Sequence, residues 1–301
     1  MNKVYCQVDD CFADPLFEVF DGGDFVLSSY HDVEASGTEV RIFLPEGGDV
    51  DAAKACLSDA LEVIGCSAPV EVAQVPDEDW RLSYRRHFKT EKVGRSLVTV
   101  PTWEFDDFMR SDDPDMRRRV PVVLDPGLAF GTGRHETTKA CLQYIDELAP
   151  ATNPESRTTN HEPRPSFLDM GCGSGILSIA ARKLGYAPVR GVDYDAAAVR
   201  VSAENAALNG VPDVSFALCD VTADPIPGAE VVVANILAPI LLAAAPRIAR
   251  AVAPGPGAAL VLSGILGEQY PRVRAAYEAF GFREEASLAI GEWTSGLLRR
   301  A

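Results

Sequence analysis

Past residue 166, short apolar runs alternate with longer stretches in which apolar residues recur every three or four positions. The runs at 167–170, 189–192, 214–217, 231–234 and 258–263 read as strands, and the stretches at 175–184, 196–209, 240–251 and 268–280 as helices. Alternation at this spacing predicts an α/β fold with a doubly wound, mostly parallel sheet. Two further strands, 283–289 and 292–299, are separated only by a short turn near Gly291. They predict an antiparallel hairpin at the edge of that sheet.

The first 75 residues carry a smaller pattern. Strand-like runs at 4–8, 25–29, 39–43 and 69–75 accompany a segment at 50–64 with Ala53, Cys56, Leu57, Leu61 and Ile64 at helical spacing. They predict a small α/β domain at 1–75, suited to substrate recognition. Residues 76–120 connect it to a larger domain at 121–301. Acidic residues after Pro76 suit a first helical turn, and Trp80, Tyr84, His87 and Phe88 form an aromatic stripe that reads as packing. Segments 97–103 and 120–124 are strand-like. Arg117–Arg119 reads as a solvated loop, or more sharply as a docking point for an acidic patch. A helix is expected over 139–148, followed by a polar, proline-rich linker at 150–166.

The larger domain turns on Asp169-Met-Gly-Cys-Gly-Ser-Gly175, where a strand runs through three glycines into a helix. Glycine permits the tight turn and a close approach to a ligand. The N–H groups of a helix start suit a polar or anionic group, and such turns at strand carboxyl ends hold nucleotide-like cofactors. A dinucleotide turn needs glycine where Ile176 stands. Asp193 follows Gly173 by 20 residues, the distance at which a carboxylate meets both ribose hydroxyls. Asp220, after the third strand of this domain, is placed either to reach an adenine amino group or to solvate its loop. Asp169 is placed either to hold the turn or to meet the cofactor's amino group. Gly171 and Gly173 with these acids fit S-adenosylmethionine in a class I, Rossmann-like methyltransferase. No triphosphate is then involved, and no P-loop lysine is found.

Two segments flank the turn. Asp125-Pro-Gly-Leu-Ala-Phe-Gly-Thr-Gly-Arg-His-Glu-Thr-Thr138 is too glycine-rich and polar for core, and Thr132 and Thr138 are its candidate cofactor contacts. One threonine at the following helix start is explained by capping; the preceding glycines point to a ligand-facing loop. His135 is a candidate base or a structural residue. Asn235 ends the fourth strand of the domain, where it either caps the next helix or acts in catalysis, its carbonyl accepting a hydrogen bond from a substrate amine. Methyl transfer from a sulfonium chiefly needs proximity, alignment and exclusion of water. A lysine acceptor must first lose a proton, at about 4.6 kcal/mol for an ordinary pKa, a cost that desolvation lowers.

Charge and cysteine usage narrow the partners. The net charge is −16, which disfavours direct nucleic-acid binding and suits a basic protein partner. No apolar run reaches the ~18 residues of a membrane helix, and no signal stretch opens the chain. Seven scattered cysteines fit reduced thiols in a cytoplasm, and Cys6 and Cys11 have no second pair to complete a metal site.

These motifs together resemble the ribosomal protein L-eleven methyltransferases, PrmA, over roughly residues 77–300. The resemblance rests on the 125–138 stretch, on Asp169 to Leu177, on Gly191-Val-Asp193 and on Ala234-Asn-Ile-Leu-Ala238. Glu78-Asp-Trp80, His87-Phe-Lys89, Gly94-Arg95, Gly291-Glu-Trp293 and Leu297-Leu-Arg-Arg300 extend it. It implies methylation of lysine and N-terminal amines of a ribosomal protein, with cofactor contacts at Thr138, Gly171, Asp193 and Asn235. Relatives that methylate lysines of an electron-transfer flavoprotein subunit offer an alternative target. A Rossmann oxidoreductase and a non-catalytic cofactor-binding module are the remaining classes; Ile176 speaks against the first, Asn235 and Thr138 against the second. Two departures stand out: residues 9–23 offer at most a short broken helix where the family has a strand followed by a helix, and the 150–165 insertion exceeds the family's turn.

Overall fold

Alternating polar and apolar positions make the first sheet one-sided. The computed structural model describes residues 2–9, 12, 16, 19, 25, 27–31, 37–44, 47–74, 88–125, 135–150, 164–254 and 258–300. The expected helix after Pro76 lies outside these residues except for Phe88, as do most of the 125–138 stretch, including Thr132, and most of the 150–166 linker. The chain divides into two compact units, 1–87 and 88–301.

In the first unit, strands β1 (Asn2–Val8), β2 (Leu27–His31), β3 (Thr38–Leu44) and β4 (Glu71–Gln74), with helix α1 (Val50–Val63) between β3 and β4, form a sheet of order β2-β3-β1-β4. All its neighbours are antiparallel. Val4, Cys6 and Val8 of β1 and Val40, Ile42 and Leu44 of β3 share one buried face, and Ala53, Leu57, Ala60 and Leu61 of α1 join their cluster. Asp49 caps α1, accepting a hydrogen bond from the Ala52 N–H at 2.9 Å. Phe12, Leu16 and Val19 are helical, and Leu16 is fully buried in this core. The segment expected to be a broken helix therefore contributes helical residues to the core.

The second unit opens with a three-stranded sheet, β5 (Glu91–Val93), β6 (Leu97–Val100) and β7 (Val120–Val123), in that order. β6 is shorter than expected because Pro101 has no N–H to continue the ladder. Between β6 and β7 lie a 3₁₀ turn (Thr102–Glu104) and two short helices, α2 (Phe105–Arg110) and α3 (Pro114–Arg118). Phe105, Phe108 and Met116 pack on Val98, Val100 and Val123. Of the basic run, Arg119 is structural: its Nη1 donates to the Gly94 carbonyl at 3.1 Å and the Leu97 carbonyl at 3.0 Å.

Then come α4 (Glu136–Glu147), β8 (Phe167–Met170), α5 (Ile176–Leu184), β9 (Val189–Asp193), α6 (Ala196–Leu208), β10 (Ser215–Leu218), β11 (Val231–Asn235), α7 (Ala238–Ala243), α8 (Ala245–Ala251), β12 (Ala259–Leu266), α9 (Tyr270–Glu278), β13 (Phe282–Ile290) and β14 (Trp293–Arg300). The seven-stranded sheet has the order β10-β9-β8-β11-β12-β14-β13. β10 through β12 run parallel, and β14 and β13 are antiparallel, as the strand pattern predicted. The helix expected over 240–251 is two helices meeting at Ala244, because Pro246 in the first turn of α8 cannot continue a helix from residue 242. Cores lie on both faces of the sheet, one against α7, α8 and α9 and one against α4 and α5.

Candidate functional site

The strand order places the candidate chemistry along one sheet edge. Asp220 follows β10, Asp193 ends β9, Gly171 follows β8, Asn235 ends β11 and Gly264 lies near the end of β12. Trp293 begins β14, which runs the other way and so starts at the same edge. A cavity of about 930 Å³ lies along these positions, lined by all six and by His135, Thr137 and Thr138 at the start of α4. It follows the rule that ligands bind outside the carboxyl ends of parallel strands where the strand order reverses, here between β8 and β11.

The glycine turn is held by its own chain. Gly171, Gly173 and Gly175 have φ of 72°, 52° and 80°, the left-handed region open to glycine. The N–H groups of Gly171 and Cys172 donate to the Val192 carbonyl at 2.8 and 3.0 Å, and that of Gly175 to the Cys172 carbonyl at 2.8 Å. The Gly173 N–H donates to Asp193 Oδ2 at 2.9 Å. Four turn amides are thus committed internally, unlike a phosphate-cradling loop whose amides face the ligand.

Asp193 is buried except at the cavity wall. Its Oδ1 accepts from the Asp195 N–H at 3.0 Å while Oδ2 holds Gly173. A carboxylate oxygen has more than one acceptor direction, so both oxygens retain capacity toward the cavity. Asp220 is exposed on the wall; its Oδ1 accepts from the Thr222 N–H and hydroxyl at 2.8 and 2.7 Å. Those two bonds hold its carboxyl below the usual range.

Asp169 stands behind the turn, not on the cavity wall. It is 0% exposed. Its Oδ2 accepts from the Ser178 hydroxyl at 2.8 Å and the Ser178 N–H at 3.2 Å, tying β8 to the first turn of α5. Its Oδ1 is buried without a hydrogen-bond partner. Burial pushes the carboxyl up to about 7, against the opposing Ser178 bonds. Ser178 carries no sequence signal; only the strand-turn-helix geometry pairs it with Asp169.

At the start of α4, the cap is neither threonine. His135 Nδ1 accepts from the Thr137 N–H at 3.3 Å and lies 2.7 Å from the Thr137 hydroxyl. Its Nδ1 lone pair is engaged, which removes it as a base through that atom. Thr138 is 1% exposed, lines the cavity, and its Oγ1 is buried with no hydrogen-bond partner.

Asn235 does not cap the helix after it: α7 has Leu237 at its cap and no side-chain cap bond. Its side chain makes no hydrogen bond among the described residues. A Cβ built on Gly264 would lie 3.2 Å from Asn235 Oδ1, so the amide oxygen rests against bare backbone. Trp293, Ile236 and Leu237 complete this end of the cavity. Tyr194 lines the Asp193 end.

The chain is also similar to known proteins. Residues 25–301 match the family described as "Ribosomal protein L11 methyltransferase (PrmA)", which extends the resemblance seen in the sequence well into the first unit. A ribosomal protein L11 methyltransferase of Pelobacter propionicus is 36% identical across 99% of this chain and 97% of its own length. One of Trichlorobacter lovleyi is 42% identical across 75% of this chain and 70% of its own length. A solved ribosomal protein L11 methylase from Lactobacillus delbrueckii subsp. bulgaricus superposes with a TM-score of 0.57 at 30% identity, covering 71% of this chain and 99% of that one.

Proposed function

The chain belongs to the ribosomal protein L11 methyltransferase (PrmA) family, and on that footing we propose that it uses S-adenosylmethionine to methylate lysine and N-terminal amines of ribosomal protein L11. The observation that carries this reading is a pair of unpartnered polar side chains on one cavity wall, the Thr138 hydroxyl and the Asn235 amide. A buried hydroxyl without a partner is unfavourable by about 1–3 kcal/mol, so its persistence at this wall fits a ligand that completes it.

The residues present fit the cofactor. Asp193 offers acceptors for ribose hydroxyls, Thr138 a hydroxyl, and the turn at Gly171 and Gly173 a surface without side chains. Asp220 borders the far end with one carboxylate oxygen outside its own loop. Asp169 acts by holding the turn through Ser178, and Thr132 belongs to the same set on its sequence position. When bound, S-adenosylmethionine supplies an electrophilic methyl group on a sulfonium. The Asn235 carbonyl then accepts an N–H of the acceptor amine and aims its lone pair inward. The apolar wall of Ile236, Leu237 and Trp293 excludes water and favours the uncharged amine. His135 acts as a helix cap, and the proton released after transfer passes to solvent.

The acidic chain suits a basic ribosomal protein, and that acceptor places the reaction in the cytoplasm. No helix among the described residues is long and apolar enough to cross a membrane. The names of the relatives favour the ribosomal protein over a flavoprotein subunit. The test is incubation of purified ribosomal protein L11 with labelled S-adenosylmethionine and either the wild-type chain or Asn235→Ala. Label on L11 amines that falls by about a hundredfold or more in the variant is expected, the scale of a lost positioning group. Full transfer by Asn235→Ala would refute its role, and no label from the wild type would refute the acceptor.

A further inference from the structure

The cavity is electrically divided. Its carboxylates, Asp193, Asp195 and Asp220, lie at the β9–β10 end. Among the described lining residues beyond the glycine turn, on α4, β11, β12 and β14, no side chain is a carboxylate. An amine delivered beside Asn235 thus meets one amide, the Thr137 and Thr138 hydroxyls, an imidazole, aliphatic side chains and the Trp293 ring. As a methyl group is transferred, that nitrogen becomes a cation, with the bond from nitrogen to methyl formed and the bond from sulfur to methyl broken. A fully substituted ammonium has no N–H left for Asn235 to accept. Among the described residues at this end, the group that attracts such a cation is the aromatic face of Trp293.

Trp293 is fixed for that task. Its backbone pairs with Leu266 on β12 and Ile290 on β13, and the Gly267 N–H donates to the neighbouring Glu292 carbonyl at 2.8 Å. His135 stands across its ring at 5.1 Å between centroids and 65° between planes, and His135 is itself oriented by its bond to Thr137. A ring held in this way at a ladder position needs little ordering when a ligand arrives.

We propose that Trp293 is the aromatic wall of the acceptor subsite, holding the alkylated ammonium by cation–π attraction so that one amine can be methylated more than once. The proposal rests on the amine-acceptor reading above. Its arms separate the two. In protein loaded with S-adenosylhomocysteine, tetramethylammonium chloride is titrated while the Trp293 indole resonance is followed by NMR, with tert-butanol as an uncharged probe of similar size. The cation should shift the resonance at concentrations where the alcohol does not, and Trp293→Leu should bind it about five- to thirtyfold more weakly, the range of cation–π energies. Mass spectrometry of methylated L11 should show Trp293→Leu stalling at lower methylation states, with Trp293→Phe restoring the wild-type distribution and both variants keeping the wild-type affinity for S-adenosylhomocysteine. Equal binding of both probes, or an unchanged methylation distribution in Trp293→Leu, overturns the proposal. Cation binding by a wild-type chain that methylates no amine would leave the subsite standing and remove the acceptor reading.

Discussion

A methyl group on Gly264 would lie 2.7 Å from the carbonyl oxygen of Ile236. Gly171 closes on the same residue from β8, where a side chain would strike Ile236 Cγ2. The chain leaving β11 thus passes through a notch between two glycines, both in left-handed conformation, with φ of 72° at Gly171 and 78° at Gly264. The notch holds Ile236 between Asn235 and the exposed Leu237, both of which line the cavity.

Gly264→Ala should therefore displace Asn235 without touching the Asp193 end of the cavity. Left-handed backbone costs a non-glycine residue roughly 1–2 kcal/mol, and the clash adds to it. The expected result is a fall in kcat of about tenfold to a hundredfold, as for small misplacements of a reacting group, with the affinity for S-adenosylhomocysteine nearly unchanged. Calorimetry beside steady-state kinetics separates the two. Equal losses in binding and turnover would contradict the notch.

Thr138 permits a sharper separation. Its hydroxyl forms no hydrogen bond in the free chain, so Thr138→Val removes no bond there and should leave the melting temperature unchanged or raised. If the hydroxyl meets the cofactor, the same change should weaken binding by about two- to thirteenfold, the net value of one hydrogen bond, and Thr138→Ser should restore it. A destabilised Val variant with normal cofactor affinity would make Thr138 a structural residue.

The division between what could and could not be read from the sequence follows locality. β8 to β12 were legible because each is an apolar run between turn residues, and the place of Asp193 on the cavity wall because it ends the strand that follows the glycine turn. The short helices α2 and α3 were not, since Phe105, Phe108 and Met116 are too few to show a period amid the surrounding acids. The break at Ala244 follows from Pro246, which the continuous apolar pattern over 240–251 masks. At the site, Ser178 holding Asp169, the glycine notch around Ile236 and the His135–Trp293 pair all join residues that only the folded sheet brings together. The capping alternatives for Asn235 and for the threonines were open in the sequence; His135 and Leu237 occupy those cap positions instead.

Asp169 should make stability depend on pH. Its folded value, about 7, is raised above an ordinary 3.8. The native state is therefore favoured in full below about pH 4. It loses stability as pH rises toward 7, because the unfolded chain ionises first, and the loss is flat above that. At about 1.36 kcal/mol per pH unit the span is on the order of 4 kcal/mol. Asp169→Asn cannot ionise, so its stability relative to wild type should climb between pH 4 and 7, whatever constant offset the substitution brings. Urea melts at pH 4.5, 6 and 8 measure that slope. Parallel curves for the two proteins would mean that Asp169 is already ionised in the folded enzyme at low pH.

Asp146 offers a test of coupling in the scaffold. From α4 its Oδ2 accepts the N–H groups of Arg95 and Ser96 at 2.5 and 2.9 Å, closing the turn between β5 and β6. Gly94 begins that turn with φ of 57°, and a Cβ there would lie 2.6 Å from the same oxygen. Asp146→Ala leaves two backbone donors without their carboxylate and should cost about 2–4 kcal/mol. Gly94→Ala pays both the left-handed backbone, roughly 1–2 kcal/mol, and the collision with Asp146. In the Asp146→Ala background the carboxylate collision is gone, leaving the backbone term and a 3.3 Å approach to the Cβ of residue 146. The double variant should thus be less destabilised than the sum of the single changes, with a coupling of about 0.5–3 kcal/mol as for residues in contact. Strict additivity in chemical denaturation would show that the turn moves away from α4 freely, and that Asp146 does not fix it.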